Sequence, residues 1–241
     1  MIDIHCHILP GFDDGADNIE ESLRMARIAA GGGTKAMIVT PHSNIPNSYQ
    51  NFLDKFYVDT FKELKSKIKE NNIPINIYPG HEIFATDDLI EPIKRKRLLT
   101  LCNSDYPLVE FAFRARSESV YEKLQRLVAE GLTPIVAHPE RYAFVAEDRS
   151  AALRLKKIGC LLQVNKGSLK NKFGQNAYAI SQSIIRHGVA DFVASDAHSP
   201  YMRTPYLADA YEIVCEMHSS SYADLILKEN PQKVLKNEKI K

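Results

Sequence analysis

Ile2-Asp3-Ile4-His5-Cys6-His7-Ile8, then Asn18-Ile19-Glu20-Glu21 running on to Gly31-Gly32-Gly33, then Ala36-Met37-Ile38-Val39-Thr40, is the stretch that decides the fold. The outer pieces are short and rich in isoleucine and valine, as strands covered on both faces are. Between them Asn18 and Glu21 form a capping box, Ile19, Leu23, Ala26 and Ala30 recur at helical spacing, and the glycines stop the run. Strand, helix and strand in that order make a βαβ unit, whose two strands lie parallel.

Outward from this unit the alternation repeats. Seven apolar runs fall at 2–8, 36–40, 75–78, 108–111, 134–137, 161–164 and 191–194. Helical spacing predicts further helices over 52–69, over 120–130 with Ser119 and Glu122 as its box, over 151–158, over 177–187 and over 206–217. No linker-like tract, low-complexity segment or internal repeat interrupts them, so the pattern favours one α/β barrel domain spanning 1–241. An open doubly wound sheet is the alternative, and both put a ligand at the strands' carboxyl ends.

Composition narrows the class. The chain has 241 residues, 44% of them hydrophobic, and a formal charge of +1, so a sizeable core is expected and no strongly basic, nucleic-acid-binding surface is. The one basic cluster, Lys94-Arg95-Lys96-Arg97, lacks interleaved aromatics or glycine and reads as a solvated turn. No apolar run approaches the roughly 18 residues of a membrane span, and the first residues do not resemble a secretory leader, so a cytoplasmic protein without membrane insertion is expected. The four cysteines Cys6, Cys102, Cys160 and Cys215 are isolated, as reduced thiols are.

The chemistry lies where the polar residues fall. His5 and His7, two apart on a strand, share a face and can reach one point. Other runs end in the same way, with His42 after Thr40-Pro41, His81-Glu82 after Gly80, Glu110 at the end of the fourth run, His138-Pro139-Glu140-Arg141 after the fifth, and Asp196 and His198 after the last. Asp14 sits in the loop after the first. Burying so many carboxylates together is costly unless cations neutralise them. His5, His7, Asp14, His42, Glu82, Glu110, His138, Asp196 and His198 are therefore candidate metal ligands, more than one ion can use, so two or three divalent ions are implied. Imidazole and carboxylate without thiolate suit manganese, iron, zinc or magnesium. Closely spaced ions activate a water and clamp both oxygens of an in-line displacement, which makes phosphoester hydrolysis the natural reaction. Arg141 and Arg203, close in sequence to these ligands, have the fork geometry for phosphate oxygens.

Taken in order, Asp3-x-His5-x-His7, Asp13-Asp14-Gly15, Thr40-Pro41-His42, Gly80-x-Glu82, Glu110, His138-Pro139-Glu140-Arg141 and Ser195-Asp196-x-His198 resemble the PHP superfamily. More narrowly they resemble the CpsB/CapC-type manganese-dependent protein-tyrosine phosphatases of bacterial capsule and exopolysaccharide operons. The resemblance implies a distorted seven-stranded β/α barrel with a trinuclear manganese site held by the nine ligands. It also implies phosphate binding by Arg141 and Arg203, and attack by a metal-bridging hydroxide on phosphotyrosine of a cognate bacterial tyrosine kinase. Asp14 or a cluster histidine is the expected acid for the leaving phenol.

Three rivals remain at this stage: a PHP phosphatase acting on a small phosphomonoester such as histidinol phosphate, a non-catalytic metal-stabilised barrel that regulates a kinase, and a nuclease. A cysteine-based phosphatase is not among them, because an arginine would follow the nucleophile by six residues and here Phe12, Leu108, Lys166 and Ser221 do. Cys6 should face the core. His81 is expected behind the ligands or at the rim, and Phe12, Phe113, Tyr142, Phe144 and Tyr201 are candidate walls for a substrate ring. His187 and His218 are expected on the surface, and the lysines of 52–69 on a solvent-facing side of their helix. Metal identity, oligomeric state and partner kinase stay open.

Overall fold

The computed structural model describes residues 1–240. Nine short strands carry the fold: β1 (Ile2–Cys6), β2 (Ala36–Val39), β3 (His42–Ser43), β4 (Asn76–Pro79), β5 (Glu82–Phe84), β6 (Leu108–Glu110), β7 (Ile135–Ala137), β8 (Leu161–Asn165) and β9 (Phe192–Ala194). All pairings among them are parallel. They form a three-stranded sheet in the order β1-β2-β4 and a six-stranded sheet in the order β3-β5-β6-β7-β8-β9.

The α/β fold with parallel strands is as expected, and among the described residues the ladders do not close into a single seven-stranded ring. The second and third runs are each followed by a further short strand, Thr40-Pro41 separating β2 from β3, and Gly80-His81, after Pro79, separating β4 from β5. Proline cannot donate to a ladder, and the two strands on either side pair in different sheets. The sheets meet along β1 and the residues that follow β9, where Cys6 and Ala197 form an isolated parallel bridge. His7 N donates to Ala197 O at 2.9 Å and Asp196 N to His5 O at 2.9 Å.

Buried Ile2, Ile4, Ala36, Ile38, Leu108, Ile135, Ala137, Leu161, Phe192 and Ala194 gather in one apolar cluster that draws on both sheets. Other strand residues, among them Val109, Val136, Leu162 and Val193, pack with the helices. Burial on both faces is what the near-continuous apolar runs encode.

Helices fall where spacing placed them, over Ile19–Gly31, Lys55–Glu70, Ser117–Ala129, Ala151–Ile158, Gln175–Arg186 and Ala208–Met217. Asn18 caps the first, accepting from Glu21 N at 3.0 Å. The Ser119 and Glu122 box does not form. That helix begins earlier, at Ser117, and Ser119 Oγ instead accepts from Lys123 Nζ at 3.0 Å. No helix among the described residues is long and apolar enough to cross a membrane. The Lys94–Arg97 turn is exposed, with Lys94 paired to Glu130 and Arg95 to Glu91.

Candidate metal centre

Geometry at the end of β1 follows from two side chains behind it. His5 Nδ1 lies 2.9 Å from Gln163 Oε1, and His7 Nδ1 lies 2.7 Å from Asp13 Oδ2. Both partners only accept, so each imidazole carries its proton on Nδ1 and, when neutral, presents a bare lone pair at Nε2. Those two Nε2 atoms stand 3.1 Å apart. Glu82 Oε2 lies 3.2 Å from one and 3.3 Å from the other, and Asp196 Oδ1 3.5 Å and 3.4 Å away. Lone pairs and carboxylates converging on one buried point repel each other, and a divalent cation removes the conflict. The donor set therefore fits a metal.

The remaining candidates surround this pair. His42 Nδ1 lies 2.8 Å from Glu110 Oε1 and 3.0 Å from Glu82 Oε2, and His138 Nε2 lies 3.0 Å from Glu82 Oε1. His198 presents Nε2 to Asp14 Oδ1 at 3.5 Å, its Nδ1 donating to Asp196 O at 3.0 Å. Three sets have ligand atoms within 4.8 Å of one another: His7, Asp14, His42 and His198; His5, His7 and Asp196; His42, Glu82 and Glu110. His7 and His42 are shared between sets, and His138 joins through Glu82. All nine sequence candidates thus meet in one place, and the sharing suits several ions rather than one.

The electrostatics follow from this crowding. Burial opposes ionisation of Glu82, yet His5, His42 and His138 hold its carboxyl well below the usual range. Asp196, equally buried, is held low by His5, His7 and Arg203. Burial also works against a charged His42, but Glu82 and Glu110 push the imidazole up to about 10. Burial and the neighbouring Glu82 raise Glu110 instead, as expected when two carboxylates share a site. Asp14, half-exposed at the mouth, is lowered by its hydrogen bond to His198.

Local backbone serves the same end. Gly15 stands so close to β1 that a Cβ there would lie 2.2 Å from His7 O, and its N–H donates to Asp13 Oδ1 at 2.9 Å. This close approach brings Asp13 to His7 and leaves Asp14 at the mouth. His138 and Asp196 occupy the left-handed region, with φ 35° and 48°, a strain typical of residues aimed by a site.

Arg141 and Arg203 lie beside the cluster and reach the same atom. Arg203 Nη2 is 2.6 Å and Arg141 Nη1 3.6 Å from Asp196 Oδ2. Glu140, next to Arg141, turns inward, accepting from Asn165 N at 2.9 Å and Ser168 Oγ at 2.7 Å.

Other expectations divide. Cys6 is buried with its Sγ toward Ala197 O, and burial pushes its thiol well above the ordinary value. Cys102 and Cys160 are pushed up to about 12 by burial, so none of the three is a thiolate nucleophile. His81 is not at the rim but fully buried, accepting from Leu99 N at 2.9 Å. Phe12, Tyr142 and Phe144 are core residues, while Phe113 and Tyr201 are exposed. His187 and His218 are exposed, as are Lys55, Lys62, Lys65 and Lys69. Sequence reasoning missed Asp13, Gln163, Asn165, Lys166 and Phe173. Asp13 stood in plain view beside Asp14, and Gln163 lies in the one run to which no ligand was assigned, with Asn165 and Lys166 directly after it.

Known proteins resemble this chain over nearly its whole length. The family described as capsular polysaccharide synthesis, CpsB/CapC, matches residues 1–236. The chain is 32% identical over 240 residues to the tyrosine-protein phosphatase YwqE of Bacillus subtilis, covering 100% of this chain and 93% of that one. It is 30% identical over 242 residues to the tyrosine-protein phosphatase CpsB of Streptococcus agalactiae, covering 98% of this chain and 99% of that one. Among solved structures, a chain from the work on YwqE of Bacillus subtilis and CpsB of Streptococcus pneumoniae, unique metal-dependent tyrosine phosphatases, superposes with a TM-score of 0.93. It is 32% identical, and the match covers 100% of this chain and 96% of that one.

Proposed function

The chain belongs to the CpsB/CapC family of capsular polysaccharide synthesis, and we propose that it is a metal-dependent tyrosine-protein phosphatase. One observation carries this reading: the Nε2 atoms of His5 and His7 face each other at 3.1 Å between Glu82 and Asp196, beside two arginines. His5, His7, Asp14, His42, Glu82, Glu110, His138, Asp196 and His198 would hold the ions, which we take to be two or three manganese ions. Bound there, such ions would supply an activated water and neutralise phosphoryl charge.

The chain's own residues do the rest. Arg141 and Arg203 take the phosphoryl oxygens and stabilise the charge that builds up during transfer. Asp13 and Gln163 fix the tautomers of His7 and His5, keeping their Nε2 lone pairs on the centre. Asp14 stands at the mouth with Oδ1 3.5 Å from His198 Nε2, where its carboxylate can orient a solvent water that gives a proton to the leaving phenol oxygen.

The substrate we assign is phosphotyrosine on a cytoplasmic-facing bacterial tyrosine kinase that governs capsule or exopolysaccharide synthesis, with the enzyme itself cytoplasmic. The contacts between β1 and the residues after β9 support reading the two sheets as one distorted PHP-type barrel of seven stations, and the chain as one phosphatase domain. The test is metal content together with hydrolysis of p-nitrophenyl phosphate and a phosphotyrosine peptide, with Mn²⁺ and with chelator, before and after His138→Ala. Loss of activity with chelator and in the variant is expected. Turnover of histidinol phosphate far faster than of the peptide would replace the protein substrate with a small one, and indifference to chelator would sink the metal chemistry.

A further inference from the structure

Phe173 holds both arginines without an ionic contact. Its ring centroid is 4.2 Å from Arg141 Cζ and 5.5 Å from Arg203 Cζ, and Arg141 is covered on a second side by Phe113 at 4.5 Å. The ring's position is itself built. A Cβ at Gly167 would meet Phe173 Cε2 at 2.4 Å, so only glycine lets the ring sit there. Lys172 N donates to Gly167 O at 2.9 Å, folding the turn that carries Phe173 back onto the glycine. Asn165 Oδ1 accepts from Gly167 N at 2.8 Å, and Asn165 Nδ2 donates to Asp196. The aromatic seat is thus fastened to the carboxylate that both guanidiniums reach.

Building on the phosphatase reading, we propose that Phe173, seated on Gly167, is a positioning residue that holds Arg141 and Arg203 at the spacing one phosphoryl group needs. Two guanidiniums close together repel, and Asp196 Oδ2, 2.6 Å from Arg203 and 3.6 Å from Arg141, touches one far more closely than the other and does not by itself fix both. A carboxylate in this seat would hold them but would occupy the N–H donors that phosphate needs. An aromatic face attracts both cations through its quadrupole and leaves their edges free.

The experiment compares Phe173→Ala, Phe173→Leu, Phe173→Tyr and Gly167→Ala with wild type at matched metal content and thermal melting point. KM for p-nitrophenyl phosphate and the dissociation constant of inorganic phosphate by calorimetry are the readouts. Phe173→Ala, Phe173→Leu and Gly167→Ala should raise both by roughly tenfold, with kcat changing less, and Phe173→Tyr should stay within about threefold of wild type. In an Arg141→Ala, Arg203→Ala background, Phe173→Ala should add nothing. Phe173→Leu matching wild type, or Phe173→Ala costing as much without the arginines as with them, would overturn the proposal. A wild-type protein that binds phosphate but hydrolyses no ester would count against the phosphatase reading alone, since the calorimetric comparison still tests the seat.

Discussion

Arg203 Nη2 lies 2.6 Å from Asp196 Oδ2, so the cation proposed to bind phosphate and a carboxylate proposed to hold metal are joined. The pair gives Asp196 two roles. Oδ1 of Asp196 faces the His5 and His7 Nε2 atoms, where it would help hold an ion, while Oδ2 orients the Arg203 guanidinium. Arg203→Ala should lower kcat/KM for p-nitrophenyl phosphate by about a hundredfold, the scale for losing one charge-stabilising donor, without weakening Mn²⁺ binding. Arg203→Lys should recover only part, because an ammonium lacks the planar fork. Steady-state kinetics with a parallel Mn²⁺ titration checks this, and a variant that lost metal and activity together would refute the division of labour.

Asp13 touches no ion in this scheme, yet its Oδ2 takes hydrogen bonds from both His7 Nδ1 and His42 N at 2.7 Å. Asp13→Asn removes the charge that fixes the His7 tautomer. Metal affinity should fall by roughly 10- to 100-fold, the usual cost of losing a carboxylate behind a histidine ligand. Excess Mn²⁺ should restore most of the activity. Retention of wild-type affinity after dialysis, read as metal content, would show that Asp13 is only a turn residue.

Lys166 is buried and donates to Thr204 O and Tyr206 O, both at 2.8 Å, tying down the segment that directly follows Arg203. Burial lowers the pKa of its ammonium, offset in part by Asp209. Lys166→Met keeps the bulk but leaves two carbonyls without a donor, so it should cost about 2–3 kcal/mol of stability and raise KM through a displaced Arg203. Urea unfolding and kinetics on the same preparation measure both. A loss of stability with unchanged KM would mean that the loop is held by other contacts.

These supporting residues explain how far the sequence could be read. The side-chain cluster was legible because an imidazole or carboxylate at the end of an apolar run is costly unless it serves something, and the signal repeats. The run at 161–164 carried no such residue, yet its Gln163 and the Asn165 that directly follows it orient His5 and Asp196. Amides carry no net charge, so nothing in their type marks them. Pro41 and Pro79 were visible, but whether a proline ends a strand or shifts its partner depends on the neighbouring strand. Phe173 was indistinguishable from a packing residue, because its role depends on two arginines 32 and 30 positions away, which only the tertiary fold brings to it.

His81 gives the pH prediction. It follows Gly80 in the motif, but its ring points away from the centre, accepting from Leu99 N at 2.9 Å and lying edge-on to Tyr57 at 5.0 Å between centroids. Burial alone pushes its imidazole down to about 3. The unfolded chain therefore binds this proton before the folded one does, and the stability the neutral ring contributes is present above its unfolded value of about 6.5 and lost as pH falls toward 3. His81→Asn offers Leu99 N a carbonyl oxygen in place of Nδ1 and does not titrate. Between pH 8 and pH 5 wild type should lose about 2 kcal/mol relative to this variant, read as the difference between two urea-unfolding series in chelator. The cluster histidines and carboxylates titrate in both proteins and cancel in that difference. Two parallel pH profiles would mean that His81 takes up its proton within the folded protein, and that the buried acceptor geometry does not hold in solution.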